Sequence, residues 1–299
     1  MKSVYLLLIF SAILYGSIST IAKLSLNTIN PIVLSSLIYL IIGVSLTIIV
    51  KLKNNIANLS RDKLKLIFID SACGAVVAPV LYFYGLKLTN ASIASILINA
   101  EFLFSILFAI SILKERPGKI AYTGIVFIFS GLIILNLKTD SSFFINNNLI
   151  GNMFIMGAAI FWALDNTISN ILLKKETPII RIIQIKSLIG GLLSFVIVFL
   201  LSISFSINDL YQIPILLFLS LGGFAGSLFL FLKGMKEIGT VKSVMIFSTS
   251  SVFGILFALI FLREGHVEGW RLLSSLILMM VGIFLITKNN CNDKNRKRK

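Results

Sequence analysis

The sequence predicts an all-α membrane protein of ten transmembrane helices, arranged as two inverted five-helix repeats. Three observations predict it. Apolar runs of about 20 residues, the helix length that crosses a bilayer, follow one another along the chain. The stretch ASIASILINAEFLFSILFAISILKERPGK at 91–119 returns at 240–264 as TVKSVMIFSTSSVFGILFALIFLRE, aligned without a gap at an offset of 149. Phe104 then falls on Phe253, and Leu113-Lys114-Glu115 on Leu262-Arg263-Glu264. Lys and Arg, finally, alternate between loops: 21 of the 27 lie in one set of alternate connections and 5 in the other, with Lys186 inside a span. That bias places both termini on the cytoplasmic side of the cell membrane.

Composition agrees. Of the residues 57% are hydrophobic and 13% charged, with mean hydropathy +0.99. A soluble domain needs about 25% charged residues to cover its surface. The net charge of +15 is therefore a topology signal in short loops, not a nucleic-acid-binding surface. Two cysteines, Cys73 and Cys291, give neither a disulfide framework nor a metal-ligand spacing.

In chain order, the first repeat occupies about 1–140. Span 3–26 is too long for a signal-peptide core and lacks a small-x-small cleavage site, so it is kept as a membrane helix. Span 31–50 opens at Pro31 after Asn30. Span 65–87 contains Pro79, which is expected to kink it, with Tyr82 and Tyr84 beyond. Span 91–113 ends in the charged cluster Lys114-Glu115-Arg116, and Pro117-Gly118 turns the chain into span 119–137. The second repeat occupies about 148–288, with spans 150–173, 180–203, 211–233, 241–262 and 269–287; residues 289–299 form a basic cytoplasmic tail. Its opening helix aligns with span 1 at an offset of 147, so that Tyr15 matches Trp162, Ser19 matches Asn166 and Pro31 matches Pro178. Five spans per repeat, an odd number, set the halves oppositely in the membrane. Such inverted repeats are a transporter architecture with the substrate site between the halves.

Polar residues inside apolar runs locate the candidate site, because a charge at the bilayer centre needs a partner or a watery cavity. Span 1 carries Ser11, Tyr15, Ser19 and Lys23 at four-residue steps. Span 6 carries Trp162, Asp165, Asn166, Ser169 and Asn170 on one face. Its hydroxyls and amides line a cavity or serve as interhelical glue; Asp165, an isolated carboxylate, favours the cavity. Span 4 is polar on two sides: Ser92, Ser95 and Asn99 share one, and Glu101 lies about 200° round from Asn99. Glu101 has three readings: a protonated hydrogen-bond donor, a proton-coupling carboxylate or a counter-charge for a cationic substrate. In span 9, Ser248-Thr249-Ser250-Ser251 put hydroxyls on every face and can bond back to helix carbonyls, bending the helix. Tyr82 faces the cavity or an interfacial aromatic belt. Gly222, Gly223 and Gly226 form a small-residue packing surface. Lys186 is expected to snorkel to the inner surface. Glu115 and Glu264 are either interfacial ion pairs with Lys114 and Arg263, or gates on opposite sides.

The ten spans in two repeats, the LKERPGK ending of span 4, its LREG echo in span 9, and the aromatics Tyr15 and Trp162 together resemble the drug/metabolite transporter superfamily, EamA type. The resemblance covers nearly the whole chain. It implies a secondary carrier for amino acids or related small polar metabolites, often an exporter, working by alternating access through a cavity that holds the substrate-binding residues. No HExxH, GxSxG or Walker loop is present, and the single histidine, His266, is in a loop, so the sequence assigns no catalytic residue, metal or cofactor. A channel or a non-transporting scaffold is the alternative. The expected partners are a small-molecule substrate and the lipid bilayer, with proton coupling through Glu101 or Asp165 and no nucleic acid. Oligomeric state is not written in the sequence.

Overall fold

The computed structural model describes residues 2–52, 59–115, 118–136, 149–204 and 210–263, and positions 270, 273–274, 277–278, 281–282 and 285 beyond them. Every regular element among these residues is helical. Nine helices follow in order: α1 (Lys2–Ser25), α2 (Pro31–Leu52), α3 (Arg61–Leu88), α4 (Ala91–Ser111), α5 (Lys119–Asn136), α6 (Leu149–Lys174), α7 (Ile179–Leu200), α8 (Gln212–Ile238) and α9 (Thr240–Leu262). Among the described residues, eight of them, α1 to α4 and α6 to α9, are found long and apolar enough to cross a membrane. The expected span 269–287 lies largely outside the described residues, as do Glu264 and the tail.

The packing is crosswise. α1 lies against α8, and α6 against α3; α1 also packs on the second half of α9, α6 on the second half of α4, and α2 on α7. The contacts fix direction. Gly43 meets Leu188 while Gly191 meets Leu40, so α2 and α7 run antiparallel. Gly223 meets Ile18 while Gly234 meets Leu8, and Gly85 meets Ile155 while Gly74 meets Asp165, so α1/α8 and α3/α6 are antiparallel too. Small residues allow these approaches, as expected where lipid provides no hydrophobic drive between helices. A methyl on Gly191 would lie 2.6 Å from the Leu40 amide nitrogen.

Four helices depart from regular α geometry. α4 loosens at Ile98-Asn99 and α9 at Ser248-Thr249, 150 residues further on. At both places the backbone tightens to three-residue bonds: Glu101 N–H to Ile98 O at 2.9 Å, Val252 N–H to Thr249 O at 3.1 Å. Wide π turns occupy Ala72–Val77 in α3 and Phe218–Gly226 in α8. Pro79 is thus accommodated by a widened turn just before it. α4 and α9 also end alike: Lys114 and Arg263, paired by the repeat, both take positive φ, 55° and 51°.

Candidate functional site

The helices enclose a cavity to which eight of them contribute: Tyr15 of α1, Tyr39 of α2, Gly74 of α3, Glu101 of α4, Trp162, Asp165 and Asn166 of α6, Lys186 of α7, Phe224 and Phe231 of α8, and Phe247 of α9. Its walls are aromatic. The Tyr15 ring lies 4.8 Å from Phe247 and 6.2 Å from Trp162, and Tyr82 packs against Trp162 at 5.2 Å with the rings tilted by 53°.

One wall depends on the π turn. In a π turn the carbonyl of residue i receives the N–H of residue i+5, and the Ala78 N–H accordingly bonds Cys73 O. The next donor in that register would be residue 79, which is proline and has none. The Gly74 carbonyl is left open to the cavity, where the Tyr39 hydroxyl donates to it at 2.9 Å and Trp162 Nε1 at 3.1 Å. Pro79 therefore orients two cavity aromatics through the Gly74 carbonyl. Gly74 also lies against the Asp165 carboxyl, so a Cβ there would sit 2.7 Å from Asp165 Oδ2. Gly74→Ala is expected to displace that carboxylate and cost about 1–3 kcal/mol of stability, read as a lowered thermal midpoint.

Two acidic centres face the cavity. Glu101 is held by neutral donors: the Tyr15 hydroxyl donates to Oε2 at 3.0 Å, and Asn166 Nδ2 donates to Oε1 at 2.9 Å and to Ser105 Oγ at 3.1 Å. These bonds join α1, α4 and α6. Asp165 instead accepts directly from Lys186 Nζ, which also lies 3.7 Å from Asp70 Oδ2. Ser169 Oγ is 3.4 Å from both oxygens of Asp70. The expectation for Lys186 is overturned: it is 1% exposed and ion-paired inside the bundle rather than snorkelling. Two aspartates on neighbouring helices hold it there, a pairing invisible along one helix.

Of the residues named from the sequence, Tyr15, Glu101, Trp162, Asp165 and Asn166 line the cavity, and Tyr82 backs it. Others are buried but spend their polar groups on helix contacts. Ser19 pairs with Ser95 at 2.7 Å; Asn99 Nδ2 reaches Ser95 O at 3.5 Å; Ser169 serves Asp70; Ser248 and Thr249 donate to Met245 O and Ile246 O at 2.7 and 2.8 Å. That back-bonding accompanies the loosening of α9.

Among the described residues, Glu115 is not ion-paired with Lys114. Positive φ at Lys114 precedes it, and its two oxygens accept the backbone N–H groups of Thr240 and Val241, each at 3.1 Å. It thereby satisfies the open first turn of α9 from the end of α4. Asn170 Nδ2 donates to Thr240 Oγ1 at 2.7 Å, tying the end of α6 into the same junction. Sequence reading missed Asp70 and Tyr39, and placed Lys186 at the inner surface instead of in the cavity wall. The signal for Asp70 was its place inside an apolar span, masked by the nearby charges Arg61, Asp62, Lys63 and Lys65.

A family model described as the EamA-like transporter family matches residues 2–137 and again 149–288. An uncharacterized transporter of Methanothermobacter thermautotrophicus is 30% identical over 301 residues, covering 95% of this chain and 86% of that protein. Another, from Clostridium kluyveri, is 24% identical over 279 residues, covering 88% and 87%. A crystal structure 18% identical in sequence shares the fold, with a TM-score of 0.73 over 96% of this chain and 97% of that one.

Proposed function

Because this chain belongs to the EamA-like transporter family, within the drug/metabolite transporter superfamily, we propose that it is a secondary carrier that moves a small polar metabolite, an amino acid or related compound, outward across the cell membrane by alternating access. The observation that carries the reading is the cavity itself: two acidic centres, Glu101 and the Asp165–Lys186 pair, set among aromatic rings and bounded by helices from both matched segments. Substrate contacts are assigned to Tyr15, Glu101, Trp162, Asp165 and Asn166, with Tyr82, Ser19, Asn99, Ser169, Ser248 and Thr249 shaping the helices around them. Proton coupling is part of the proposal, since buried acids are its usual carriers.

The two matched segments are read as inverted five-helix repeats, ten helices in all, bounded at about 1–140 and 148–288 and with both termini cytoplasmic. The antiparallel pairs α1/α8 and α3/α6, the paired loosening at 98–99 and 248–249, and the shared positive φ at Lys114 and Arg263 support it. Purified protein in liposomes, loaded with labelled amino acids and related metabolites, tests the function. Gradient-driven efflux is expected, and a sustained single-channel current without saturation would replace the carrier by a channel.

Glu115 is assigned the gate on its side, with Glu264 its counterpart by repeat. Glu115→Ala is expected to lower stability by about 0.5–2 kcal/mol, the worth of a helix cap, and to raise labelling of a cysteine placed at Ser243 from the cytoplasmic side. Unchanged labelling would remove Glu115 from gating.

A further inference from the structure

One lysine cannot neutralise two aspartates. Lys186 Nζ contacts Asp165 and lies 3.7 Å from Asp70. Asp70 is wholly buried, and its other polar neighbours are the Ser169 hydroxyl at 3.4 Å, too long for a strong bond, and the carboxyl of Asp165 itself. The titratable groups within electrostatic reach from the surrounding helices are Cys73 of α3, Tyr39 of α2 and Glu101 of α4; none is a cation. A buried carboxylate without a full counter-charge costs several kcal/mol and takes a proton instead. Asp165 and Lys186 face the cavity, whereas Asp70 lies behind them.

We propose that Asp70 is a proton site and that Lys186 switches between the two aspartates. With the cavity empty, Lys186 neutralises Asp165 and a proton neutralises Asp70. A cationic amine entering the cavity takes Asp165; Lys186 passes to Asp70; the O–H bond of the Asp70 acid breaks and its proton leaves to water. One positive charge enters and one departs, so the buried net charge is unchanged and the exchange is an antiport. This rests on the carrier reading and adds to it a substrate class, an organic amine, whose ammonium the faces of Tyr15, Trp162 and Phe247 also favour.

Infrared spectroscopy of the protein in lipid nanodiscs at neutral pH tests the proton site. A protonated carboxylic-acid band that shifts in D2O is expected, lost in Asp70→Asn and retained in Glu101→Gln. Absence of such a band in the wild type, or its persistence in Asp70→Asn, overturns the assignment; the wild-type measurement decides even where the variant fails to fold. Titration with tyramine in weak buffer tests the switch. The wild type is expected to release a proton for each amine bound, Asp70→Asn to bind the amine at least tenfold more weakly because Lys186 then has no second carboxylate to pass to, and the anion 4-hydroxyphenylacetate to release none. Tyramine that does not bind, or binds without proton release, overturns the exchange. Counterflow of labelled tyramine without a pH gradient reports on the carrier reading alone: its absence beside intact proton release would sink transport and leave the switch standing.

Discussion

Lys186→Met is expected to destabilise the protein by about 3–5 kcal/mol, the cost of breaking a buried ion pair from one side. Lys186 is 1% exposed and pairs with Asp165 beside Asp70, which are 4% and 0% exposed. Removing it leaves the Asp165 carboxylate buried without a cation, beside the protonated Asp70. The methionine fills most of the lysine stem, so packing is not the cause. The decisive comparison is the double variant Lys186→Met with Asp165→Asn. Deleting the charge on both sides removes the orphan, and much of the lost stability is expected to return. Thermal midpoints in detergent, compared at one scan rate, check both. A single variant as stable as the wild type would mean that the pair carries no net weight. Labelled-metabolite efflux is expected to vanish in the single variant and to stay absent in the double, because stability returns without the ammonium.

The faces of the helices were legible before the partners were. Tyr15, Trp162, Asp165 and Asn166 announced themselves by helical spacing in aligned repeats, and Glu101 by standing in an otherwise apolar run. All five line the cavity. Asp70 and Lys186 were not legible as a pair, because each lies a turn or so from ordinary interfacial charges and what joins them is the packing of α3, α6 and α7. Depth, unlike periodicity, is not written locally. The same reason hid Glu115, whose partners Thr240 and Val241 lie 125 and 126 residues away. Pro79 was legible as a disturbance, but its consequence was not: the freed carbonyl belongs to Gly74, five residues earlier, and the side chains that answer it come from α2 and α6. Ser248 and Thr249 show the converse. Their hydroxyls did mark an irregular point in α9, and they are consumed by it rather than offered to the cavity.

Trp162→Ala is expected to cost about 3–5 kcal/mol and to abolish efflux, since the indole is buried among Tyr15, Tyr82 and Phe224 and its loss opens a large void. Trp162→Phe separates the ring from its N–H. The phenyl keeps most of the packing, and Gly74 O still receives the Tyr39 hydroxyl, so the cost is expected near 1 kcal/mol, one net hydrogen bond. Tyr39→Phe is expected to behave alike, with Trp162 Nε1 as the surviving donor. The two together should not add. With both donors gone, the Gly74 carbonyl has no backbone N–H to fall back on, because the residue that would supply it is Pro79. The double variant is then expected to cost about 1–3 kcal/mol beyond the sum of the singles, the penalty for an orphaned buried acceptor. Additive losses in a double-mutant cycle of unfolding would show that the carbonyl finds water, and would take from Pro79 its role in setting the aromatic wall.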